Sequence, residues 1–406
     1  MTRIFLFALL LAALPCHAAD PIAIGLSYPR TGNYKAEGLE LMRGALLAVD
    51  QLNRSGGVLG RPLRLLSLNS ASRAEQAERN VERLHAQGAR MVFGGATSEE
   101  AIRAQALGLL YFATLSFADE VTGREGRRYL FRESNSDWMS AQVLGEYLTW
   151  HRPRQRYHYI LSDDAWGRSM EQALRRATGS MDRARHGYSR LPARGASRAE
   201  HLRALQRAAH SEAEMLVLVM RGQDLLQFVR LAHELHLGER RQLIVPNLSK
   251  ALVQEAGPLV MEGVIGTEAW TWRVPEREQS AAGQAFVDAY IAAHQEYPGS
   301  AAASAYAIVQ QWAAAATRAG SLDSERLIAA LEDHSYRLLK DQQQWRAFDH
   351  QNVQSIYAVR VRPRAEIMRD RFKQDYFEII HRMAGEQAAP SLEDWQQERG
   401  EQLSLQ

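Results

Sequence analysis

Hydroxyl side chains occupy two loops in which a small molecule could be held. The predicted strands 90–93 and 110–115 are each followed by a polar loop, and these loops contain Ser98 and Ser116. A hydroxyl oxygen and the free backbone N–H groups at the start of a helix can hold a carboxylate or a carbonyl oxygen. Thr97 or Ser98 can equally serve as the N-cap of the following helix and nothing more. Both interpretations stay open, because one loop can do both.

Three loops of the first half of the chain lie where parallel sheets bind ligands. Ligands bind beyond the carboxyl ends of parallel strands, where loops meet helix N-termini. The loops 28–34, 94–98 and 115–118 meet that description, and they add Tyr34 and Phe117 to the candidate binding residues.

Catalytic patterns were sought and none is complete. His233 and His236 are three residues apart, whereas the zinc motif H-E-x-x-H needs them four apart, so a polar helix face is the better interpretation. No G-x-S-x-G motif occurs, and Cys16 is the single cysteine. His350 is expected to make structural hydrogen bonds. The sequence therefore predicts a protein that is not an enzyme and that uses no metal or cofactor.

Short apolar runs alternate with amphipathic stretches, which is typical of β-α units on parallel sheets. The pattern occurs twice and is followed by a helical region and a last strand. The predicted strands are 21–28, 63–68, 90–93, 110–115, 129–131, 157–161, 215–220, 243–245 and 356–361. The predicted helices are 37–53, 72–87, 98–109, 138–151, 167–178, 225–237, 279–297, 301–319 and 327–331. Glycines 56, 57 and 60 mark a tight helix-to-strand turn.

Composition limits the class of protein. With 406 residues, 46% of them hydrophobic, the chain can build two globular domains. A net charge of +2, with basic residues spread along the chain, argues against a nucleic-acid partner. Residues 386–406 are rich in Gln and Glu, and we expect a poorly ordered polar tail there.

Residues 1–19 have the order of a secretory signal peptide. Arg3 precedes an apolar run too short to span a bilayer, and small residues follow it. We expect cleavage after Ala18 or Ala19. Cys16 follows a proline, so lipid attachment is not expected, and the exported chain would contain no disulfide.

Several segments together resemble the branched-chain amino-acid (Leu/Ile/Val) binding-protein family. The first is the strand, turn and helix over 22–53, which ends in the glycine-rich turn 54–63. The other matching segments are Val-Phe-Gly-Gly-Ala-Thr-Ser at 92–98, Ala-Trp-Gly at 165–167, Ala-Tyr at 305–306, and Trp-Arg-Ala-Phe-Asp-His-Gln at 345–351. The order and spacing of these segments make the resemblance specific.

The resemblance implies a type I periplasmic-binding fold. Its two doubly wound, Rossmann-like α/β lobes have parallel sheets joined by a multi-strand hinge. The N-terminal lobe would comprise 20–136 and 268–342, and the C-terminal lobe 137–267 and 343–385. The resemblance implies a monomeric periplasmic solute-binding protein that delivers a small molecule to an ABC permease in the inner membrane. A ligand sensor that docks on a membrane receptor is the alternative.

The resemblance also places four residues of the C-terminal lobe at the cleft: Asp137, Trp166, Arg221 and Asn247. Trp166 stands where the family has an aromatic residue that packs on the ligand, although it could also be a core tryptophan. Arg221 could bind the ligand or lie on the surface. The full predicted set is Tyr34, Thr97, Ser98, Ser116, Phe117, Asp137, Trp166, Arg221 and Asn247.

Asn247 departs from the family pattern. Leu/Ile/Val binders have a glutamate at this position, and that glutamate holds the ligand's ammonium group. A buried ammonium without a carboxylate partner costs several kcal/mol. The sequence thus predicts that leucine, isoleucine and valine are rejected in favour of an amide, a carboxylate or another small polar molecule. If the alignment slips, Asp137 or Glu268 could supply the missing carboxylate.

Overall fold

The computed structural model describes residues 20–105, 108–193, 195–400 and 404–405. The predicted signal peptide, residues 1–19, lies outside the described residues. Two sheets of different size organise the described chain, and a third small sheet lies at their junction.

The first sheet contains five parallel strands in the order β2-β1-β3-β4-β5. Its strands are β1 Ile22–Tyr28, β2 Leu63–Asn69, β3 Val92–Gly94, β4 Tyr111–Ala113 and β5 Leu130–Arg132. All seven residues of β1 are buried, because helices cover both faces of a parallel sheet.

The second sheet contains seven strands in the order β15-β14-β10-β9-β8-β6-β7. Its strands are β6 Tyr157–Ser162, β7 Gly187–Leu191, β8 Met215–Val219, β9 Gln242–Val245, β10 Ile265–Glu268, β14 Ile356–Val361 and β15 Phe377–Met383. Strands β6 to β10 pair in parallel, and β14 and β15 are antiparallel. The predicted architecture of two α/β lobes with parallel sheets is confirmed.

The small antiparallel sheet connects the two lobes. Its strands are β11 Ser335–Tyr336, β12 Gln343–Trp345 and β13 Asn352–Val353. The Trp345 ring lies 5.7 Å from Phe112 and 5.6 Å from Phe131, measured between ring centroids, so this sheet packs on the first lobe. His350 stacks on Phe131 at 3.9 Å and its Nδ1 bonds to the Leu130 carbonyl, which is the structural role expected for it.

Helices surround both sheets. Those of the first lobe are α1 Lys35–Arg54, α2 Ala74–Ala86, α3 Ser98–Ala104, α11 Ala281–His294, α12 Ser300–Ala319 and α13 Ser324–Leu331. The others are α4 Asp137–His151, α5 Ala165–Ala177, α6 Arg198–His210, α7 Gly222–Glu234, α8 Lys250–Ala256, α9 Pro258–Met261, α10 Val274–Arg277, α14 Arg364–Ile367, α15 Gly385–Ala388 and α16 Leu392–Arg399. Within the described residues, the chain passes between the lobes after β5, after β10 and before β14.

The turn between α1 and β2 has the geometry that its glycines predict. Gly57 has φ of +78°, and a Cβ atom there would lie 2.0 Å from the Arg61 carbonyl oxygen. Only glycine fits this position, because a side chain would be strained and would also clash.

The expectation of a poorly ordered tail after residue 385 is wrong. Ser391 and Asp394 form a capping box at the start of α16. Trp395 is 4% exposed, its Nε1 donates to the Thr122 carbonyl at 2.8 Å, and Arg399 donates to the Gly123 carbonyl at 2.6 Å. The polar composition concealed a buried tryptophan whose partners are more than 270 positions away in the sequence.

Candidate ligand-binding cleft

A cavity lies between the two lobes at the carboxyl ends of their parallel strands. The loops after β1, β4 and β5 line one side, and the loops after β8, β9 and β10 line the other. This is where doubly wound sheets bind ligands. We call this cavity the inner chamber and define it by Glu37, Phe117, Glu133, Arg221, Asn247 and Glu268.

A second, more polar space adjoins the inner chamber. This outer chamber is defined by Tyr34, Thr97, Ser98, Trp166, Arg221 and Asp224. Tyr34 and Arg221 line both chambers, so they stand at the boundary between them. Burial raises the pKa of the Tyr34 hydroxyl, and the nearby Arg221 charge partly offsets that rise.

Arg221 presents an unpaired guanidinium to the cleft. It is the N-cap residue of α7, and its Cζ lies 3.9 Å from the Trp166 ring centroid and 5.7 Å from that of Phe117. Among the described residues no carboxylate lies within salt-bridge distance of it. A guanidinium placed over an aromatic ring can still donate its N–H groups to a carboxylate.

A hydrogen bond to a buried carboxyl group holds the Trp166 indole in place. Its Nε1 donates to Asp137 Oδ1 at 2.9 Å, and Asp137 is fully buried. Burial holds the pKa of Asp137 well above its usual range, and the neighbouring Asp119 raises it further. Asp137 does not line either chamber, so the structure places it behind the Trp166 wall and not in contact with the cavity.

Asn247 lies at the inner chamber with its backbone in the left-handed region, at φ of +53°. Its Oδ1 accepts hydrogen bonds from Ser140 Oγ at 2.7 Å and from Asn135 Nδ2 at 3.0 Å. The Nδ2 atom is buried and has no hydrogen-bond partner within the described chain. The hydrogen bonds to Oδ1 thus fix the orientation of the Asn247 side chain, and its Nδ2 group is free to donate to a ligand.

The predicted hydroxyls are already engaged in the loops that carry them. Thr97 Oγ1 accepts from the Glu100 N–H at 3.2 Å and caps α3, and Ser98 Oγ accepts from the Ala118 N–H at 3.0 Å. Ser116 donates to the Thr97 carbonyl at 3.2 Å and does not line either chamber. Capping is therefore present, and ligand contact by Thr97 or Ser98 from the outer chamber stays a prediction.

Four carboxyl groups line the inner chamber, and the predicted set contains none of them: Glu37, Glu133, Glu255 and Glu268. Burial raises the pKa of Glu37 to about 7, and it raises that of Glu133 and, more strongly, that of Glu268. Glu133 and Glu268 directly follow or end strands β5 and β10, so the strand-end rule that selected the hydroxyl loops could have found them. The sequence predicts Glu268 only as an alternative source of the missing carboxylate.

A family model described as periplasmic binding protein matches residues 21–366 of this chain. The chain belongs to that family. The Leu/Ile/Val-binding protein BraC3 of Rhizobium johnstonii is 30% identical over 182 residues, which is 43% of this chain and about half (49%) of the relative. An amino acid binding protein of Pseudomonas aeruginosa is 26% identical over 341 residues, covering 82% of this chain and 88% of the relative.

A crystal structure of a periplasmic binding protein from Burkholderia mallei has the same fold. It superposes with a TM-score of 0.81 at 20% identity, and the match covers 93% of this chain and 98% of the other. Among the residues that the structure describes, no helix is both long enough and apolar enough to cross a bilayer.

The two lobes of this periplasmic binding protein touch across the cleft. Ser249 Oγ donates to Glu37 Oε1 at 3.1 Å, and Lys250 Nζ lies 3.1 Å from Glu40 Oε1. Lys250 and Glu40 are both buried, and Lys250 also donates to the Tyr297 carbonyl. These contacts join α8 of the second lobe to α1 of the first, so the structure has the lobes closed.

Proposed function

We propose that this protein is the substrate-binding component of an ABC importer and that it captures a small, amino-acid-like molecule between its lobes. The observation that carries the proposal is the unpaired Arg221 guanidinium, stacked on Trp166 at the boundary of the two chambers. It fits a ligand carboxylate, and the free Asn247 Nδ2 adds a second donor nearby. The relatives are named for the amino acids that they bind, which supports the capture of an amino-acid-like molecule.

The mechanism is capture by closure, without chemical turnover. A ligand that contacts both lobes binds the closed form more tightly and shifts the population toward it. The closed form is then presented to the permease. Leu225, Leu226, Leu248 and Leu252 give the inner chamber an apolar wall, which suits a ligand with an aliphatic part.

Export to the periplasm is part of the proposal. It rests on the first 19 residues and on membership of the family. Intact mass of the protein isolated from a periplasmic fraction should correspond to a chain that begins at residue 19 or 20. A mass that retains residues 1–18 would contradict it.

A thermal-shift screen tests the proposal. The panel contains the common amino acids, their amides, short carboxylates and aromatic acids. Because a ligand that binds only the native state stabilises it by RT ln(1 + [L]/Kd), binding at 100 times Kd gives about 2.7 kcal/mol and a clear rise in Tm. We expect at least one carboxylate-bearing compound to raise Tm, and no rise with any compound would contradict the proposal.

Arg221→Gln is the matched variant for that screen. Loss of a charge-assisted hydrogen bond is worth about 1.5–3 kcal/mol, so Kd should rise by roughly 10- to 150-fold in calorimetry. Arg240→Gln is the control, because Arg240 is exposed and lies outside both chambers. Unchanged affinity of Arg221→Gln would remove the carboxylate contact from the proposal.

A further inference from the structure

The inner chamber has an imbalance of charge. Four carboxyl groups line it, those of Glu37, Glu133, Glu255 and Glu268, and Arg221 is the one cationic side chain among its described lining residues. The remaining lining combines aliphatic and aromatic side chains with amide and hydroxyl groups, among them Asn135, Ser300 and Ser304. One carboxyl group is enough to hold the α-ammonium group of an amino acid, so four exceed what a ligand with an aliphatic side chain requires.

The protein supplies hydroxyl groups but no salt bridge to these carboxyl groups. Among the described residues, none of the four forms an ion pair, and Glu37 bonds to the hydroxyl of Ser249 at 3.1 Å. The hydroxyl groups of Ser304 and Ser300 lower the pKa of Glu133 and of Glu268 by hydrogen bonding. The nearby cations have other partners: Lys250 pairs with Glu40, and Lys340 donates to the carbonyls of Ala269 and Ser355. Glu133 and Glu268 are only 7% and 6% exposed.

Such an arrangement is unfavourable for ionised carboxyl groups. A buried carboxylate must be paired, must be hydrogen-bonded, or must take up a proton. Burial is the chief cause of the raised pKa values of Glu37, Glu133 and Glu268, so these groups favour their protonated form unless a cation lies close to them. A ligand cation placed among them would supply the missing counter-charge.

The positions of the charges define the shape of the ligand. Arg221 stands at the boundary of the chambers, whereas Glu133 and Glu268 lie where the chain passes between the lobes. Leucine side chains of α7 and α8 line the same chamber. A molecule with an anionic group at one end, an aliphatic arm and a cationic group at the other end matches this order.

We infer that the ligand is a basic amino acid or a similar zwitterion, whose carboxylate meets Arg221 and whose distal ammonium or guanidinium group enters the carboxyl-lined end of the inner chamber. This inference rests on the proposed function. It retains the expectation that leucine, isoleucine and valine bind poorly, but for a new reason: their apolar side chains would leave the buried carboxyl groups unpaired.

Matched pairs of compounds test the inference by calorimetry at pH 7. Ornithine is compared with norvaline, lysine with norleucine, and arginine with citrulline, because each pair has closely similar size and differs in the distal charge. We expect the cationic member to bind at least ~10-fold more tightly in at least one pair. Equal or tighter binding of the neutral member in every pair would overturn the inference, since the carboxyl groups would then act as protonated hydrogen-bonding groups.

Variants identify the residues responsible. Glu133→Gln and Glu268→Gln should each reduce the preference for the cationic member by at least ~10-fold and change the affinity for the neutral member by less than ~3-fold. Glu37→Gln, at a less buried position, serves if either variant fails to fold. Glu82→Gln, on the exposed surface of α2, is the control and should leave the preference unchanged. A preference that survives all three cleft variants would overturn the inference.

The two proposals fail in different ways. If none of the six compounds binds at about 1 mM but another compound of the screen does, the inference is wrong and the proposed function stands. If no compound of the whole screen binds, the proposed function itself fails.

Discussion

Asn247 lacks the negative charge that the family pattern leads one to expect at its position, because a neutral amide stands there in place of a glutamate. Arg221 adds a cation at the boundary of the two chambers. Carboxyl groups are nevertheless present in the cleft, because Glu133 and Glu268 line the same chamber. At the scale of single residues, these carboxyl groups lie at the segments that join the lobes, whereas the loop after β9 carries an amide.

Glu37 should make the ligand-free protein sensitive to pH. Its pKa rises from about 4.5 to about 7 on folding, through burial and the nearby carboxyls of Glu40 and Glu255. The stabilising proton is fully bound below about pH 4.5 and is lost as the pH rises through about 7, so the wild type loses this contribution over that range. Glu37→Gln has no titratable group at this position, so its unfolding free energy lacks this dependence on pH.

Urea unfolding of ligand-free wild type and Glu37→Gln at pH 5 and pH 8 measures the effect. Relative to the wild type, the variant should gain on the order of 1 kcal/mol of unfolding free energy between pH 5 and pH 8, after allowance for solvent screening. A difference between the two proteins that is independent of pH would contradict the assignment.

The site could be predicted only in part from the sequence. Four of the predicted residues line the inner chamber: Tyr34, Phe117, Arg221 and Asn247. Ser116 does not line it, and its hydroxyl donates to the Thr97 carbonyl of the neighbouring loop. Loop position and family pattern are local signals, and they locate residues near strand ends well. Whether a side chain faces the cavity or the loop behind it depends on contacts between distant segments, and no local pattern reports those contacts.

The C-terminal helix α16 is the element that the sequence concealed. It follows the last strand of the second lobe, yet its Trp395 bonds to Thr122 of the first lobe and packs on Phe348 with ring centroids 5.3 Å apart. The long apolar strands and helices were predictable because their periodicity is strong. An eight-residue helix with one apolar anchor has no periodicity to detect.

Trp395→Ala tests whether α16 stabilises the fold. Truncation of a buried tryptophan typically costs about 3–5 kcal/mol, and we expect a loss near the lower end because the helix can detach. Trp395→Phe keeps most of the ring and should cost about 1 kcal/mol through the lost hydrogen bond to Thr122. Urea unfolding measures both, and an unchanged unfolding free energy for Trp395→Ala would show that α16 contributes nothing.

At the scale of the whole molecule, the contact between the two closed lobes includes a buried ion pair as well as the ligand cavity. Lys250 and Glu40 come from different lobes and are both desolvated when the lobes meet. Separation of the lobes would return both groups to water, so we expect the pair to contribute to the balance between the open and closed forms as well as to folding. Burial raises the pKa of Glu40, and the Lys250 charge acts against that rise.

Lys250→Met should weaken ligand binding without touching the ligand chambers. A buried Glu40 left without its partner disfavours the closed form, and a cost of only about 1.4 kcal/mol raises Kd tenfold. Adding Glu40→Gln should restore much of the affinity, because the unpaired charge is removed. Calorimetry on the two single variants and the double variant measures the coupling, and additive effects would contradict an inter-lobe role for the pair.

The central claim is that a ligand between the lobes drives closure, and small-angle X-ray scattering measures this directly. A ligand that contacts both lobes stabilises the closed form, so binding should shift the population toward closure. Saturation with the tightest-binding compound of the screen should lower the radius of gyration, and Arg221→Gln should need a higher concentration for the same change. A radius of gyration that stays constant while calorimetry shows the site to be full would contradict the account.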